Sequence, residues 1–228
     1  MTLSIELENK DYQIIKPIGK GGMSTVYLAV ERSLKRDVAI KVLHSNLSGD
    51  PKNKERLRRE ALAIAKMNHD NIVKIYNFVE EELYSYIVME YIAGADLEEF
   101  LKEHPIHYIE IGLAIFLKIS KAIFHAHQTG IIHRDIKPEN VMISQKGDIK
   151  VMDFGISSIL GEYNNLTTTG SIMGSPMFMS PEHLNDFPID HQSDIFSLGI
   201  VLYHLLTRDY PFKGKNTGQL LNNIAKCN

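Results

Sequence analysis

The chain has 228 residues, 44% of them hydrophobic, and a formal net charge of −3. This is enough apolar material for a substantial core. The small net charge argues against a general nucleic-acid binder and against attraction to anionic membranes. The one cysteine, Cys227, excludes an internal disulfide and a metal site built from cysteines.

The first 92 residues are rich in β-branched and alternating apolar segments, which predict strands. The five predicted strands are YQIIKPIG (12–19), STVYLAVE (24–31), RDVAIKVL (36–43), NIVKIYNFV (71–79) and LYSYIVMEYI (83–92). A charged segment at 51–67 carries apolar residues at helical spacing and predicts one helix. The sequence therefore predicts a small sheet with a single helix in residues 1–92.

Beyond residue 93 the pattern becomes helical. The predicted helices are 97–104, the long apolar segments 109–128 and 193–207, and the amphipathic segment 217–227. Between the two long helices lies a loop-rich stretch with short strand-like pieces. We expect a hinge near residues 90–94 and a ligand cleft between the two parts, because such clefts are common binding sites.

A glycine-rich loop, IGKGGMSTVYLAV, begins at residue 18. Glycines let backbone amides approach phosphates, so Gly19, Gly21 and Gly22 are candidates for a nucleotide loop. A plain hairpin is at least as consistent with this motif taken alone. A dinucleotide-binding fold requires a helix after the glycines, whereas a strand follows here.

Two charged residues could act at the same phosphate site. Lys41 ends the apolar run VAIK, and Glu60 lies on the following predicted helix. Glu60 could hold the Lys41 ammonium in place for phosphate contact. The alternatives are that Lys41 is a snorkelling surface lysine and that Glu60 belongs to a solvated charge run.

The segments IIHRDIKPEN (131–140) and KVMDFGI (150–156) concentrate polar chemistry. Asp135 could accept a hydroxyl proton as a base, and Lys137 could neutralise phosphate charge. The Asn140 amide oxygen and the Asp153 carboxylate are ligands suited to a hard cation such as Mg²⁺.

Taken together and in this order, the motifs resemble those of the eukaryotic-type (Hanks-type) protein kinase family. The resemblance runs from about Tyr12 to the end of the chain. The KPEN motif is similar to that of serine/threonine kinases, and GGMS and GSPMFMSPEH are similar to bacterial members. The resemblance implies an α+β, bilobal protein-kinase fold with a five-stranded antiparallel sheet in the N-lobe (1–92) and a mainly helical C-lobe (93–228).

The activity that the resemblance implies is that of an ATP-dependent serine/threonine kinase. The alternative is a nucleotide-binding scaffold or an inactive fragment.

The resemblance also implies residue roles. Asp135 matches the catalytic base, Lys137 the γ-phosphate contact, and Asn140 and Asp153 the ligands of Mg²⁺, for which Mn²⁺ could substitute. Lys41 would bind phosphates and pair with Glu60. The residues matching ATP contacts are Ile18, Gly19, Lys20, Gly21, Gly22, Met23, Ser24, Val26, Ala39, Lys41, Met89, Glu90, Ile92, Asp96 and Met142. Ser24 replaces the third glycine of the family loop, and we expect reduced loop flexibility with binding retained.

Regulation is expected from Arg134, which precedes the catalytic aspartate and could receive a phosphate of the activation segment. The candidate autophosphorylation sites are Thr167, Thr169 and Ser171. Ser175 matches the residue that bonds the catalytic Asp and Lys. A polar flexible loop is the simpler interpretation of this segment.

Several residues have competing interpretations. His125 and His127 could suggest a metal site, but i,i+2 spacing points them to different helix faces, and packing or surface roles are favoured. His133 is expected to pack near Phe154. Asp194 is interpreted as a helix N-cap and, by resemblance, as a buried anchor of the catalytic-loop backbone, two roles that could hold together.

The resemblance implies protein substrates with Ser or Thr, no nucleic-acid partner, and a possible homodimer for trans-autophosphorylation. A cytoplasmic kinase domain is expected, with membrane attachment only through a segment beyond this chain. The last helices of the family's C-lobe are expected to be missing.

Overall fold

The computed structural model describes residues 11–21, 24–43, 51–80, 85–154, 176–185 and 187–226, apart from the side chains at 51–54, 56, 57 and 60. The strands are β1 (Tyr12–Lys20), β2 (Ser24–Glu31), β3 (Arg36–Leu43), β4 (Ile75–Glu80), β5 (Ser85–Glu90), β6 (Gly94–Asp96), β7 (Val141–Ser144) and β8 (Ile149–Val151). The helices are α1 (Pro51–Ala65), α2 (Leu97–Glu103), α3 (Ile109–Gln128), α4 (Pro181–Leu184), α5 (His191–Thr207) and α6 (Thr217–Lys226). Short 3₁₀ turns occur at Pro138–Asn140 and Pro176–Phe178.

The chain divides into two compact units. One comprises Met1–Asn68 with Val73–Ala93, and the other comprises His69–Ile72 with Gly94–Asn228. The first unit contains a five-stranded antiparallel sheet in the order β1-β2-β3-β5-β4, together with α1. The five strands and the helix predicted from the sequence are confirmed.

The side chains of β3 alternate between the two faces of the sheet, because successive residues of a strand point to opposite faces. On one face Val38, Ile40 and Val42 of β3 join a buried cluster with Ala29 and Val88. The intervening residues Ala39 and Lys41 therefore point to the other face. This alternation follows directly from the sequence RDVAIKVL.

Strand β4 begins at Ile75 and not at residue 71 as predicted. Residues 69–72 belong to the second unit, where the Val151 N–H donates to the Asn71 carbonyl at 2.8 Å. The Asn71 amide donates to the Ile149 carbonyl at 2.9 Å, and Ile72 forms an isolated parallel bridge with Val151. The apolar pattern is continuous from residue 71 to 79. The backbone of its first residues, however, bonds to the segment around Val151, whereas the backbone of β4 bonds to β5.

The second unit has a core of helices beside a small antiparallel sheet, β6-β7-β8. The apolar helix α3 buries a stripe that includes Ile115, Ile119 and Ile123, and it packs on α5. Gly112 lies at this contact, where an added Cβ would lie 3.5 Å from Leu206. Among the described helices, none has both the length and the apolar run that a bilayer span requires.

Helix α5 begins at His191, two residues before the predicted start. Its N-cap is Asp190, whose carboxylate accepts a hydrogen bond from the Gln192 N–H at 2.8 Å. The interpretation of Asp194 as the N-cap is therefore wrong, because this residue lies in the first turn and is buried.

Candidate active site

The loop between α3 and β7 places two polar side chains, those of Lys137 and Asn140, in contact with Asp135. The Lys137 Nζ donates to both carboxylate oxygens of Asp135, at 3.0 and 2.8 Å. The Asn140 amide donates to the Asp135 carbonyl oxygen at 2.7 Å and to its Oδ2 at 3.0 Å. The side chains of Asp135 and Lys137 are both 17% exposed. The structure thus brings together three residues that the sequence predicted to act at one site.

The electrostatics of this cluster keep Asp135 ionised. Burial raises the pKa of Asp135, but the charge of Lys137 and the hydrogen bonds from Lys137 and Asn140 outweigh it. The net effect lowers the pKa of the carboxyl group below its ordinary value. An ionised carboxylate can accept a hydrogen bond from a hydroxyl group and orient it.

Asp194 holds the backbone that leads into this cluster. Its Oδ2 accepts from the His133 N–H and its Oδ1 from the Arg134 N–H, both at 2.8 Å. The side chain is 1% exposed and also lies 2.7 Å from Nε2 of His127. The geometry therefore supports the interpretation of Asp194 as a buried anchor.

His133 joins this loop to the segment that carries Asp153. Its Nε2 donates to the Met152 carbonyl at 2.9 Å, and its Nδ1 accepts from the Asp135 N–H at 3.3 Å. These two bonds are those of the tautomer with the proton on Nε2. The ring also packs on Phe154, with centroids 4.6 Å apart, as the sequence analysis expected.

Asn140 and Asp153, the predicted metal ligands, carry side-chain oxygens on neighbouring segments. The Met152 N–H donates to the Asn140 carbonyl at 2.9 Å, which brings the two segments together. Because the Asn140 amide nitrogen donates twice to Asp135, the side-chain oxygen is the atom left to act as a ligand. Asp153 has a φ of +62°, a conformation uncommon for a residue other than glycine.

This donor set fits a hard divalent cation shared with a phosphate. Within the part of the chain that the structure describes, no group of three or more His, Cys, Asp or Glu side chains could hold a metal ion by itself. One carboxylate and one amide oxygen leave coordination positions for phosphate oxygens and water, which is how Mg²⁺ is commonly bound.

In the first unit, five of the predicted nucleotide contacts share one face of the sheet. Gly19 of β1 pairs with Val26 of β2, and Val26 pairs with Lys41 of β3. Ala39, two residues before Lys41, pairs with Met89 of β5. Residues paired across strands, or two apart along one strand, point to the same face. The glycine-rich turn, the lysine and three apolar side chains therefore line one surface.

Lys41 is 8% exposed, so its interpretation as a snorkelling surface lysine is wrong. A buried ammonium requires polar partners. The Glu60 side chain lies outside the described part of the structure, so its pairing with Lys41 stays a prediction.

The glycine-rich turn is closed by a hydrogen bond from the Gly21 N–H to the Ser24 carbonyl at 2.8 Å. Added Cβ atoms at Gly19 and Gly21 would meet no described protein atom closer than 3.7 Å, so packing against the described residues does not require glycine at either position. Ile18 and Lys20 flank the turn as exposed residues, and Gly22 and Met23 lie outside the described residues.

Four further predicted nucleotide contacts follow. The Glu90 N–H donates to the Lys74 carbonyl at 2.8 Å, so this N–H is already engaged. Ile92 is half-buried between β5 and β6. Asp96 pairs with Met142 across β6 and β7, and it caps α2 by accepting from the Glu99 N–H at 2.8 Å.

The two histidines of α3 point to different faces, as predicted. The His125 ring lies 5.2 Å from that of His69, whereas His127 contacts Asp194. The role of His127 was missed because its partner lies 67 residues further along the chain. His183 is buried, and its Nδ1 lies 2.8 Å from the Ser180 hydroxyl.

The predicted regulatory residues are described only in part. Arg134 is half-buried and has a φ of +68°. Thr167, Thr169, Ser171 and Ser175 lie outside the described residues.

Comparisons with known proteins agree with the motif order. The protein kinase domain family matches residues 12–227. Serine/threonine-protein kinase PrkC of Bacillus subtilis (strain 168) is 46% identical over 206 residues, covering 90% of this chain and 32% of the relative. Serine/threonine-protein kinase PknB of Mycobacterium tuberculosis (strain ATCC 25177 / H37Ra) is 40% identical over 219 residues, covering 94% of this chain and 35% of the relative. The chain thus spans about a third of the length of these relatives.

The crystal structure of Rad53 1-466 in complex with AMP-PNP matches with a TM-score of 0.77 and 29% identity. The match covers 95% of this chain and 54% of that chain. The α+β protein-kinase fold predicted from the sequence is confirmed.

Proposed function

The chain belongs to the protein kinase family, and from that premise we propose that it transfers the γ-phosphoryl group of ATP to Ser or Thr hydroxyls of proteins. The observation that carries the proposal is the Asp135 carboxylate, held by Lys137 and Asn140 in a loop that Asp194 anchors. The relatives matched here are named serine/threonine-protein kinases, which are ATP-dependent phosphotransferases that act on proteins.

In this proposal the Asp135 carboxylate accepts the proton of the substrate hydroxyl and orients its oxygen toward the γ-phosphorus. The bond from that oxygen to phosphorus forms as the bond from phosphorus to the β–γ bridging oxygen breaks, and ADP leaves. Because the transition state is loose, a weakly basic carboxylate is sufficient. Lys137, 2.8 Å from the carboxylate, would neutralise charge on the transferred group.

The family uses a divalent cation with ATP, and we propose Mg²⁺, with Mn²⁺ as a substitute, held by Asn140 and Asp153. A bound cation would neutralise charge on the phosphate oxygens. The support is the oxygen donor set and the hydrogen bond that joins the two segments.

For the nucleotide we propose that Lys41, steadied by Glu60, binds the α- and β-phosphates, and that the turn at Gly19–Ser24 covers them. The apolar residues Val26, Ala39, Met89 and Met142 would enclose the adenine. Because the Glu90 N–H is engaged with Lys74, Glu90 would contribute its carbonyl oxygen, and Ile92 its backbone. Asp96 would contact the ribose while keeping its role as a helix cap.

Regulation, location and assembly form a further part of the proposal. We propose autophosphorylation at Thr167, Thr169 or Ser171, with Arg134 receiving the phosphate, and contact of Ser175 with the catalytic Asp and Lys. Trans-autophosphorylation would require two copies to meet. The kinase domain, with lobes at 1–92 and 93–228, would act in the cytoplasm, where ATP is available. The relatives' greater length leaves room in a parent protein for a membrane anchor.

The test is transfer of radiolabelled phosphate from ATP with Mg²⁺ to the chain itself and to a generic basic protein. We expect label with the parent chain and none above background with Asp135→Asn. Asp148→Asn, an exposed turn residue of the same unit, is the matched control and should label like the parent. Equal labelling by the parent and Asp135→Asn would contradict the proposal. ATP-dependent thermal stabilisation without labelling would support a nucleotide-binding scaffold instead.

A further inference from the structure

Helix α1 has two sides, and the fold uses only one of them. Ala61 and Ile64 are buried, and the helix packs on β4. On the other side Leu62 is 50% exposed. A single exposed leucine is ordinary on a protein surface, so its meaning depends on the residues around it.

The residues around Leu62 enclose an open groove of about 310 Å³. They follow one another at the spacing that places side chains on one face of a helix. The lining residues of this α1 groove are Glu55, Arg58, Arg59, Leu62, Ala63 and Lys66. At a rise of about 1.5 Å per residue, the groove runs along roughly 16 Å, which is the length of about three turns of a second helix.

The α1 groove is cationic, although the chain as a whole has a net charge of −3. Glu55 is its one acidic residue, against three basic ones. Among the side chains that the structure describes, the ion pairs include none of Arg58, Arg59 and Lys66. Their charges are therefore available to pair with carboxylates of another molecule.

We propose that the α1 groove docks an acidic helix of a partner protein, which presents a large apolar side chain between Asp or Glu residues. The apolar side chain would cover Leu62 and Ala63, and the carboxylates would pair with Arg58, Arg59 and Lys66. Burial of Leu62 would supply affinity, and the charges would supply specificity and fast association. The inference concerns binding alone and does not depend on the proposed kinase function.

The mixture of groups favours a protein helix over the other anionic partners. Nucleic acids reward cations that neutralise phosphates, and they would leave Leu62 without an apolar contact. A membrane surface requires a broad apolar face, whereas this groove has one leucine at its centre. Glu55 would repel phosphates of either kind, but it can pair with a basic residue of a protein.

The probe is a fluorescein-labelled helical peptide of Leu, Ala and Glu, with leucines on one face and glutamates beside them. A second peptide has Lys in place of every Glu. Fluorescence anisotropy follows binding to the full chain, and hydrogen exchange of the amides at 55–66 locates the site. The charge-reversal variant is Arg58→Glu/Arg59→Glu. Its matched control is Lys118→Glu/Lys121→Glu, which makes the same change of net charge at exposed residues of α3.

We expect saturable binding of the Glu peptide, slower exchange at 55–66 and no binding of the Lys peptide. The charge-reversal variant should weaken binding at least about tenfold, and its control less than about twofold. Leu62→Ala should weaken binding about 3- to 10-fold. Leu117→Ala, which shortens a leucine of α3 that is 54% exposed, should leave binding like the parent.

Equal losses in the charge-reversal variant and its control would overturn the inference, because they would show attraction to net charge alone. So would unchanged exchange at 55–66, or tighter binding of duplex DNA or phosphatidylserine vesicles than of the Glu peptide. Self-association of the chain that Arg58→Glu/Arg59→Glu abolishes would assign the groove to a second copy and overturn it as well. If the charge-reversal variant does not fold, Leu62→Ala against Leu117→Ala provides the same comparison.

Discussion

The Lys137 ammonium donates to both carboxylate oxygens of Asp135, at 3.0 and 2.8 Å, although the two residues are separated by only one position in the chain. The contact is possible because the intervening Ile136 is buried, 2% exposed, so that its neighbours turn together to the other side. The ammonium both offsets the negative charge of the carboxylate and lowers its pKa, which keeps it ionised.

Replacing Lys137 with Met should raise the pKa of Asp135, because burial then acts without the opposing charge. Asp135 acts in its ionised form, so the acidic limb of the pH profile of kcat/KM should move to higher pH. We also expect kcat to fall about 10²- to 10³-fold, typical of losing one charge-stabilising group. Lys137→Arg keeps the charge and should leave the limb in place. An acidic limb that does not move in Lys137→Met would show that Lys137 does not lower the pKa of Asp135.

Asp194→Asn should uncouple the catalytic loop from α5. An amide has one acceptor oxygen, so it cannot replace the carboxylate that accepts from two backbone N–H groups and contacts His127. We expect the free energy of unfolding to fall by roughly 3 kcal/mol, with loss of transfer activity even where the variant is folded. Urea denaturation and the labelling assay measure the two effects.

The control lies on the same helix. Asp190 caps α5 through the Gln192 N–H, and Asn caps helices about as well as Asp. Asp190→Asn should therefore change stability by less than about 0.5 kcal/mol. Similar losses of stability in both variants would show that Asp194 stabilises α5 and does not specifically hold the loop at 133–134.

Gly94→Ala should destabilise the second unit, because an added Cβ would lie 1.9 Å from the Ile143 carbonyl oxygen. Backbone atoms cannot move away cheaply, so we expect a loss of at least about 2 kcal/mol. Gly199→Ala is the matched control in α5, where an added Cβ meets no described atom within 4 Å apart from the helix's own backbone. That variant should gain about 0.5–1 kcal/mol from helix propensity. Thermal unfolding measures both, and a stable Gly94→Ala would contradict the close approach.

Asn140→Ala should weaken the binding of Mg²⁺ that supports phosphate transfer. It removes the candidate ligand oxygen and the hydrogen bonds to Asp135. The Mg²⁺ concentration that gives half-maximal transfer should rise about 10- to 100-fold. Asn223→Ala removes a hydrogen bond to the Lys213 carbonyl in another part of the unit and should leave the Mg²⁺ midpoint unchanged. The same midpoint in both variants would remove Asn140 from the metal site.

Short-range patterns predicted the strands well. Bounds 24–31 and 36–43 agree with β2 and β3 because alternation, turn residues and hydrogen bonding all change at the same positions. The predicted strand at 71–79 failed at its start because Asn71 and Ile72 bond to the segment around Val151. Periodicity reports which residues are apolar, and it does not report which backbone receives their hydrogen bonds.

The candidate site could be predicted where its residues belong to one short sequence motif. Asp135, Lys137 and Asn140 lie within six residues, and the structure places them in contact. His127 carried no such signal, because its partner Asp194 lies 67 residues further along the chain. A buried histidine in the sequence looks the same whether it packs, caps or positions a loop.

The bonds from His133 and Arg134 to Asp194 span 61 and 60 residues. A contact of that range forms only after the intervening chain has closed a large loop, which is a slow and entropically costly event. The strained turn before Asp135 therefore cannot take its shape as the polypeptide first collapses; it must wait for α5 to dock. Catalytic competence in this protein should consequently be among the last properties acquired during folding.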